Sequence, residues 1–141
     1  MKNKTVKSLG MLSKLRRLEL TEKQQALAQM QAKLQALNQK VKDIVKARHD
    51  EIECTRHDNL SRLTLQIYLD GLITKENALK KQIYSLADFM IPVQESVRES
   101  FRQVKSLEIA KENLENKIRQ EQDKAEQAFL DEISLQSREN K

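Results

Sequence analysis

One proline, two glycines, one cysteine, three phenylalanines, two tyrosines and no tryptophan stand in a chain of 141 residues. Each shortage excludes something. With so few turn-forming residues, a fold of many short elements is out of reach. With aromatics at 4%, the chain lacks the bulky apolar mass of a globular core, and its length suits one domain. The lone Cys54 cannot close an internal disulfide and suits a reducing compartment. No apolar run approaches the roughly 20 residues that span a bilayer. Ser13 and Lys14 interrupt the basic start where a signal peptide needs its apolar stretch.

The chemistry of sites is equally sparse. There is no glycine-rich phosphate loop, so a nucleotide has no cradle of that kind. His49, Cys54 and His57 lie near one another in sequence, but their spacing matches no zinc pattern and a fourth ligand is missing. Paired acids such as Asp131 and Glu132 occupy adjacent helical positions and diverge, so they do not form an acid–base couple. Neither catalysis, nor a metal, nor a cofactor is expected. Tyr68, Tyr84, Phe89, Phe101 and Phe129 are scattered far from the basic start and make no stacking platform, so nucleic acid is not expected either.

What is present is a period. Leu20, Leu27, Leu34 and Val41 stand seven apart, with Met30, Leu37 and Ile44 between them. Further on, Met90, Val93, Val97, Ser100, Val104, Leu107, Lys111, Leu114 and Ile118 alternate steps of three and four. Seven of those nine are apolar. That spacing lays a narrow stripe along an α-helix and requires a partner helix. Charged residues at 33% supply the outer faces.

The expected fold is therefore all-α, an antiparallel two-helix coiled-coil hairpin with unequal arms, forming a single domain over 1–141. Helix one is expected over about 8–53, the turn over about 54–60 and helix two over about 60–136. His57, Asp58, Asn59 and Ser61 offer N-cap side chains before Leu63, Leu65 and Ile67. Asp70-Gly71 is a rival turn signal, but apolar residues keep helical spacing across it. Pro92 is expected to kink helix two without ending it, because the heptad phase continues beyond it. Glu76 with Lys80 and Glu115 with Arg119 are read as outer-face pairs. A turn near residue 57 sets residue 9 opposite about residue 105 and leaves the last 30 or so residues unpaired.

Two features suggest binding. Lys2, Lys4, Lys7, Lys14, Arg16 and Arg17 gather at the start of helix one, where the helix dipole favours acids. An acidic protein or an anionic surface would complement them; a solubilising tail is the plain alternative. The second feature is Leu63–Ile73, more apolar than a two-stranded seam requires. Leu65, Leu69 and Leu72 cannot all share the stripe with Ile67 and Tyr68, so some of these residues should be exposed beside the turn, as a docking patch would be.

Three stretches add a resemblance. They are Ser8–Leu18 (S-L-G-M-L-S-K-L-R-R-L), Tyr68–Ile73 (Y-L-D-G-L-I), and a close made of Lys111–Gln122 (K-E-N-L-E-N-K-I-R-Q-E-Q) and Leu130–Arg138 (L-D-E-I-S-L-Q-S-R). In this order they resemble the FliJ family of bacterial flagellar type III export, and its injectisome counterparts of the YscO kind. The resemblance implies an antiparallel coiled coil similar to the central stalk of rotary ATPases. It implies binding and activation of a hexameric export ATPase, contact with the cytoplasmic domain of the export gate, and handling of substrate chaperones. It implies a cytoplasmic protein, peripheral at the inner membrane through its partners only. The family's aromatic followed four residues later by leucine matches Tyr68 and Leu72, with Lys75 and Leu79 extending that gate-facing surface. Lys7, Lys14, Arg16 and Arg17 would meet the ATPase ring. Pro92 and Gly71 depart from the family's uninterrupted helix. A generic homo-oligomeric scaffold or tether is the alternative.

Overall fold

The computed structural model describes residues 2–56 and 62–140. The fold is all-α, the antiparallel two-helix coiled-coil hairpin with unequal arms: α1 spans Lys2–Thr55 and α2 spans Arg62–Glu139. α1 begins six residues before its expected start and α2 two residues after its own, and both end two or three residues beyond the expected positions. The candidate cap residues His57, Asp58, Asn59 and Ser61 lie outside the described residues.

The heptad stripe is the buried stripe. On α1 the half-buried and buried positions include Leu20, Leu27, Met30, Leu34, Leu37, Val41 and Ile44. On α2 they recur from Leu65 through Leu69, Leu72, Glu76, Leu79, Ile83 and Leu86 to Met90, and then follow the second block to Ile118. Steps of three and four average about 3.5 residues, close to one helical turn, which keeps one face toward the partner helix within each unit. Among the described residues no side chain is completely buried, as expected where one seam between two helices is the only interior.

Gly71 does not end α2, and neither does Pro92; both lie on exposed positions of a continuous helix. The rival turn at Gly71 is thereby excluded. A Cβ at Gly71 would meet no atom within 4 Å. The missing N–H of Pro92 falls on the water side, where the freed carbonyl is solvated.

The chain divides into two compact units. Unit 2, Glu22–Val97, holds an apolar seam in which Leu27, Leu34 and Val41 of α1 are half-buried, as are Ile83, Leu86 and Val93 of α2. Among its described residues one buried polar group interrupts it, with Lys23, Arg48, Glu51, Thr55 and Ser96 half-buried. Glu76, read from the sequence as an outer-face residue, is 7% exposed at a seam position. Its two carboxylate oxygens divide between partners, Arg48 Nη1 at 3.0 Å and Lys80 Nζ at 3.1 Å. The heptad frame, stepping from Leu72 to Glu76 to Leu79, overrides the outer-face reading of its pairing with Lys80.

Unit 1 comprises Met1–Thr21 and Arg98–Lys141. Its seam is more polar, with Gly10, Ser13, Ser100 and Lys111 among the buried and half-buried positions. The Lys111 side chain lies against Gly10, where an added Cβ would sit 3.4 Å from Nζ. The absent side chain thus gives the lysine stem its place. Ion pairs Lys2–Glu121 and Arg17–Glu108 join the two helices. This register differs from the expected one. Residue 10 faces Lys111, about one heptad beyond its expected partner, and α1 pairs as far as Glu121. The unpaired end of α2 is therefore residues 122–139, shorter than the expected 30 or so.

Candidate functional site

The residues singled out beside the turn share one face of α2, and that face meets α1. Leu72 is 8% exposed and Leu79 is half-buried in the seam. Tyr68, at 44%, and Lys75 lie on the flank and are accessible. Lys75 and Leu79 line a shallow furrow with Ala78 and with Lys40, Asp43 and Ile44 of α1. The structure thus unites Lys75 and Leu79 with α1 residues and leaves Tyr68 outside that furrow. The apolar excess near the turn is sorted by the heptad. Leu65, Leu69 and Leu72 turn inward, while Leu63, Ile67 and Ile73 are exposed together with Tyr68.

The basic start of α1 is divided by its pairing. Arg17 reaches Glu108, and Lys2 reaches Glu121. Arg16 Nη1 lies 3.0 Å from Glu19 Oε2 within its own helix. Hydrogen bonds from these neighbours hold two carboxyls below their ordinary value, Glu108 through Arg17 first and Glu121 through Lys2 first. In unit 2 the Lys80 ammonium does the same for Glu76, with Arg48 adding to it. Lys4, Lys7 and Lys14 are exposed and hold no ion pair among the described residues. Of the four basic residues expected at a partner surface, Lys7 and Lys14 are the two whose charge is left to the outside. Glu115, expected to pair with Arg119, has Lys111 Nζ at 3.9 Å.

The sequence reading missed an outward apolar stripe. Met11, Leu15 and Leu18 are exposed at 73%, 52% and 58%. With Lys4 and Lys7 they recur in steps of three and four, about half a helical turn away from the seam at Ser13 and Leu20. The signal was in the sequence, hidden because leucine also fills the seam and its flanks over Leu9–Leu20. Beyond α1, Phe129 at 62% and Ile133 at 46% stand exposed on the unpaired end of α2.

His49 and Cys54 are both exposed, and His57 lies outside the described residues. Among the described residues no cluster of three or more His, Cys, Asp or Glu is placed to hold a metal ion. No described helix is long and apolar enough to cross a membrane. The surface furrows are open and shallow, so what this geometry offers chemically is contact along helix faces. Comparison with protein family models, with curated protein sequences and with solved structures finds no match to this chain.

Proposed function

We propose that this chain is a non-enzymatic coiled-coil stalk component of a bacterial type III export apparatus. In this reading it is cytoplasmic and held peripherally at the inner membrane by its partners. It binds and activates a hexameric secretion ATPase, and links that ATPase to the export gate and to substrate chaperones. The observation that carries the reading is the open end of the hairpin. There α2 outruns α1 by residues 122–139, and Lys7 and Lys14 present charges that hold no ion pair among the described residues. A rod entering a ring needs such a projecting, charged end and needs no pocket of its own. The ordered resemblance over Ser8–Leu18, Tyr68–Ile73 and Lys111–Arg138 supports the same assignment.

The test is steady-state ATP hydrolysis by the cognate hexameric ATPase with and without this protein. Stimulation by the native chain is expected, with most of it lost in the double variant Lys7→Glu/Lys14→Glu. These two residues are the clean choice, because reversing Arg16 or Arg17 also breaks an internal pair. No stimulation, or stimulation unchanged in the variant, overturns the assignment. The exposed Met11–Leu15–Leu18 stripe favours a second reading, a homo-oligomeric scaffold or tether, for which solution mass is the direct measurement.

A further inference from the structure

Two unpartnered surfaces of unit 1 complement each other in charge, apolar content and length. The first is the outer face of α1, carrying Lys4, Lys7, Met11, Lys14, Leu15 and Leu18. Residues 2–17 hold six bases and no acid. The second is the unpaired end of α2. Over 122–139 it holds Asp123, Glu126, Asp131, Glu132 and Glu139 against Lys124 and Arg138. At about 100° per residue, Phe129 falls about 20° and Ile133 about 60° from the direction of Ile118, so past the point where α1 begins they form an apolar strip to one side of the seam line. Glu126 and Glu132 flank that stripe on its two sides, and neither holds an ion pair among the described residues.

We propose that the occupant of both surfaces is a second copy of this chain. The unpaired end of α2 in each copy lies along the outer face of the other copy's α1, around a two-fold axis near the start of α1. The direction follows from the hairpin. Within one chain α1 begins beside Glu121 and runs back along α2. A second α1 beginning at the same place runs the other way, parallel to the free end. An offset of 118 residues then sets Phe129 beside Met11, Glu132 beside Lys14 and Ile133 beside Leu15, and leaves Glu126 one residue from the position facing Lys7. One charge pair and two apolar pairs coincide, a second charge pair lies within one residue of register, and the two-fold axis repeats them. This dimer differs from a scaffold in which first helices pair between chains, because each chain keeps its own seam. It also covers Lys7 and Lys14, so it competes with any partner that uses them. The inference goes beyond the ATPase reading, and its test needs only the purified chain.

Sedimentation equilibrium of the full chain should give about 33 kDa, twice the 16.5 kDa monomer, with affinity falling as salt rises. Lys7→Glu/Lys14→Glu meets an acidic end with an acidic face, and Glu126→Lys/Glu132→Lys meets a basic face with a basic end. Each variant alone should dissociate at least ~10-fold more readily. An equimolar mixture of the two restores both contacts and should recover the dimer. Circular dichroism of each variant checks that the helices persist. A covalent readout covers the case in which a variant misfolds. With Cys54→Ser as background, Met11→Cys and Phe129→Cys together should give an interchain disulfide when the added oxidant diamide accepts the two electrons and two protons of the thiol pair. A native chain that remains monomeric at every concentration overturns the proposal. So does a dimer indifferent to both reversals, a mixture that fails to recover, or the absence of interchain cross-linking.

Discussion

Unit 2 and unit 1 are built from the same two helices and place their apolar residues differently. In unit 2 the seam holds Leu27, Leu34 and Val41 of α1 and Leu72, Ile83 and Met90 of α2, with the paired Glu76 as its one buried charge. In unit 1 the seam includes Gly10, Ser13, Ser100 and Lys111, while Met11, Leu15, Leu18, Phe129 and Ile133 face out. An apolar residue stabilises the surface that removes it from water, at about 25 cal/mol per Å². Both units also leave large apolar residues exposed, in unit 2 Leu63, Ile67, Tyr84, Phe89 and Ile91 among them. The difference therefore lies in the seams: that of unit 2 is the more apolar, so burial contributes more to helix pairing there than in unit 1.

The largest expected effect tests the unit 2 half of this contrast. Leu72→Ala should destabilise the protein by about 2–4 kcal/mol in urea denaturation, since it opens a cavity in a seam with no second layer behind it. A loss well below that range would mean that the seam collapses around the gap. In unit 1 a substitution of opposite sign should work. Lys111→Leu replaces a half-buried charge by an apolar side chain and should raise stability by about 1 kcal/mol in the same assay. If it lowers stability, the Lys111 contact with Gly10 matters more than its polarity.

Smaller effects separate the two glycines. Gly71→Ala, in open space on an exposed face, should stabilise by about 1 kcal/mol through helix propensity. Gly10→Ala should gain less, because its Cβ would approach Lys111 Nζ to 3.4 Å. Thermal melts of the two variants compare them directly.

The last effect is one of pH. Glu76, Glu108 and Glu121 have folded pKa values below 4.5, so the folded state binds their protons less readily than the unfolded chain. Their contribution is therefore complete above the unfolded value and lost as pH falls through the folded values, below 4.5. Tm should fall over that window. Two of the three groups belong to unit 1, so Glu108→Gln/Glu121→Gln should flatten the fall more than Glu76→Gln does. Salt should diminish it, because the unit 1 pairs are open to solvent.

The fold was legible because the heptad states it redundantly. Every apolar residue from Leu20 to Ile44 that carried the first block lies on the buried stripe. The register was not legible, for the same reason. A stripe that repeats every seven residues looks alike after a slide of one heptad, which is the displacement between the expected and observed partners of residue 10. Only the turn fixes that choice, and the sequence offered two signals for it, the cap residues around His57–Ser61 and the rival Asp70-Gly71. Glu76 was misplaced because a helix surface satisfies an i,i+4 pair equally on either face, whereas the step from Leu72 to Leu79 passes through it. The exposed basic and apolar faces were half legible. The sequence located the basic start and the apolar excess at Leu63–Ile73, but only packing separated Lys7 and Lys14 from the bases already paired.

The lack of any completely buried side chain among the described residues has a consequence for tolerance to substitution. In a globular core a buried residue touches many others, so a change there disturbs several contacts at once. In this hairpin a described seam residue keeps part of its surface in water, and most other described positions are exposed. A library that varies the seam should therefore accept many apolar or small residues, provided that the steps of three and four are kept.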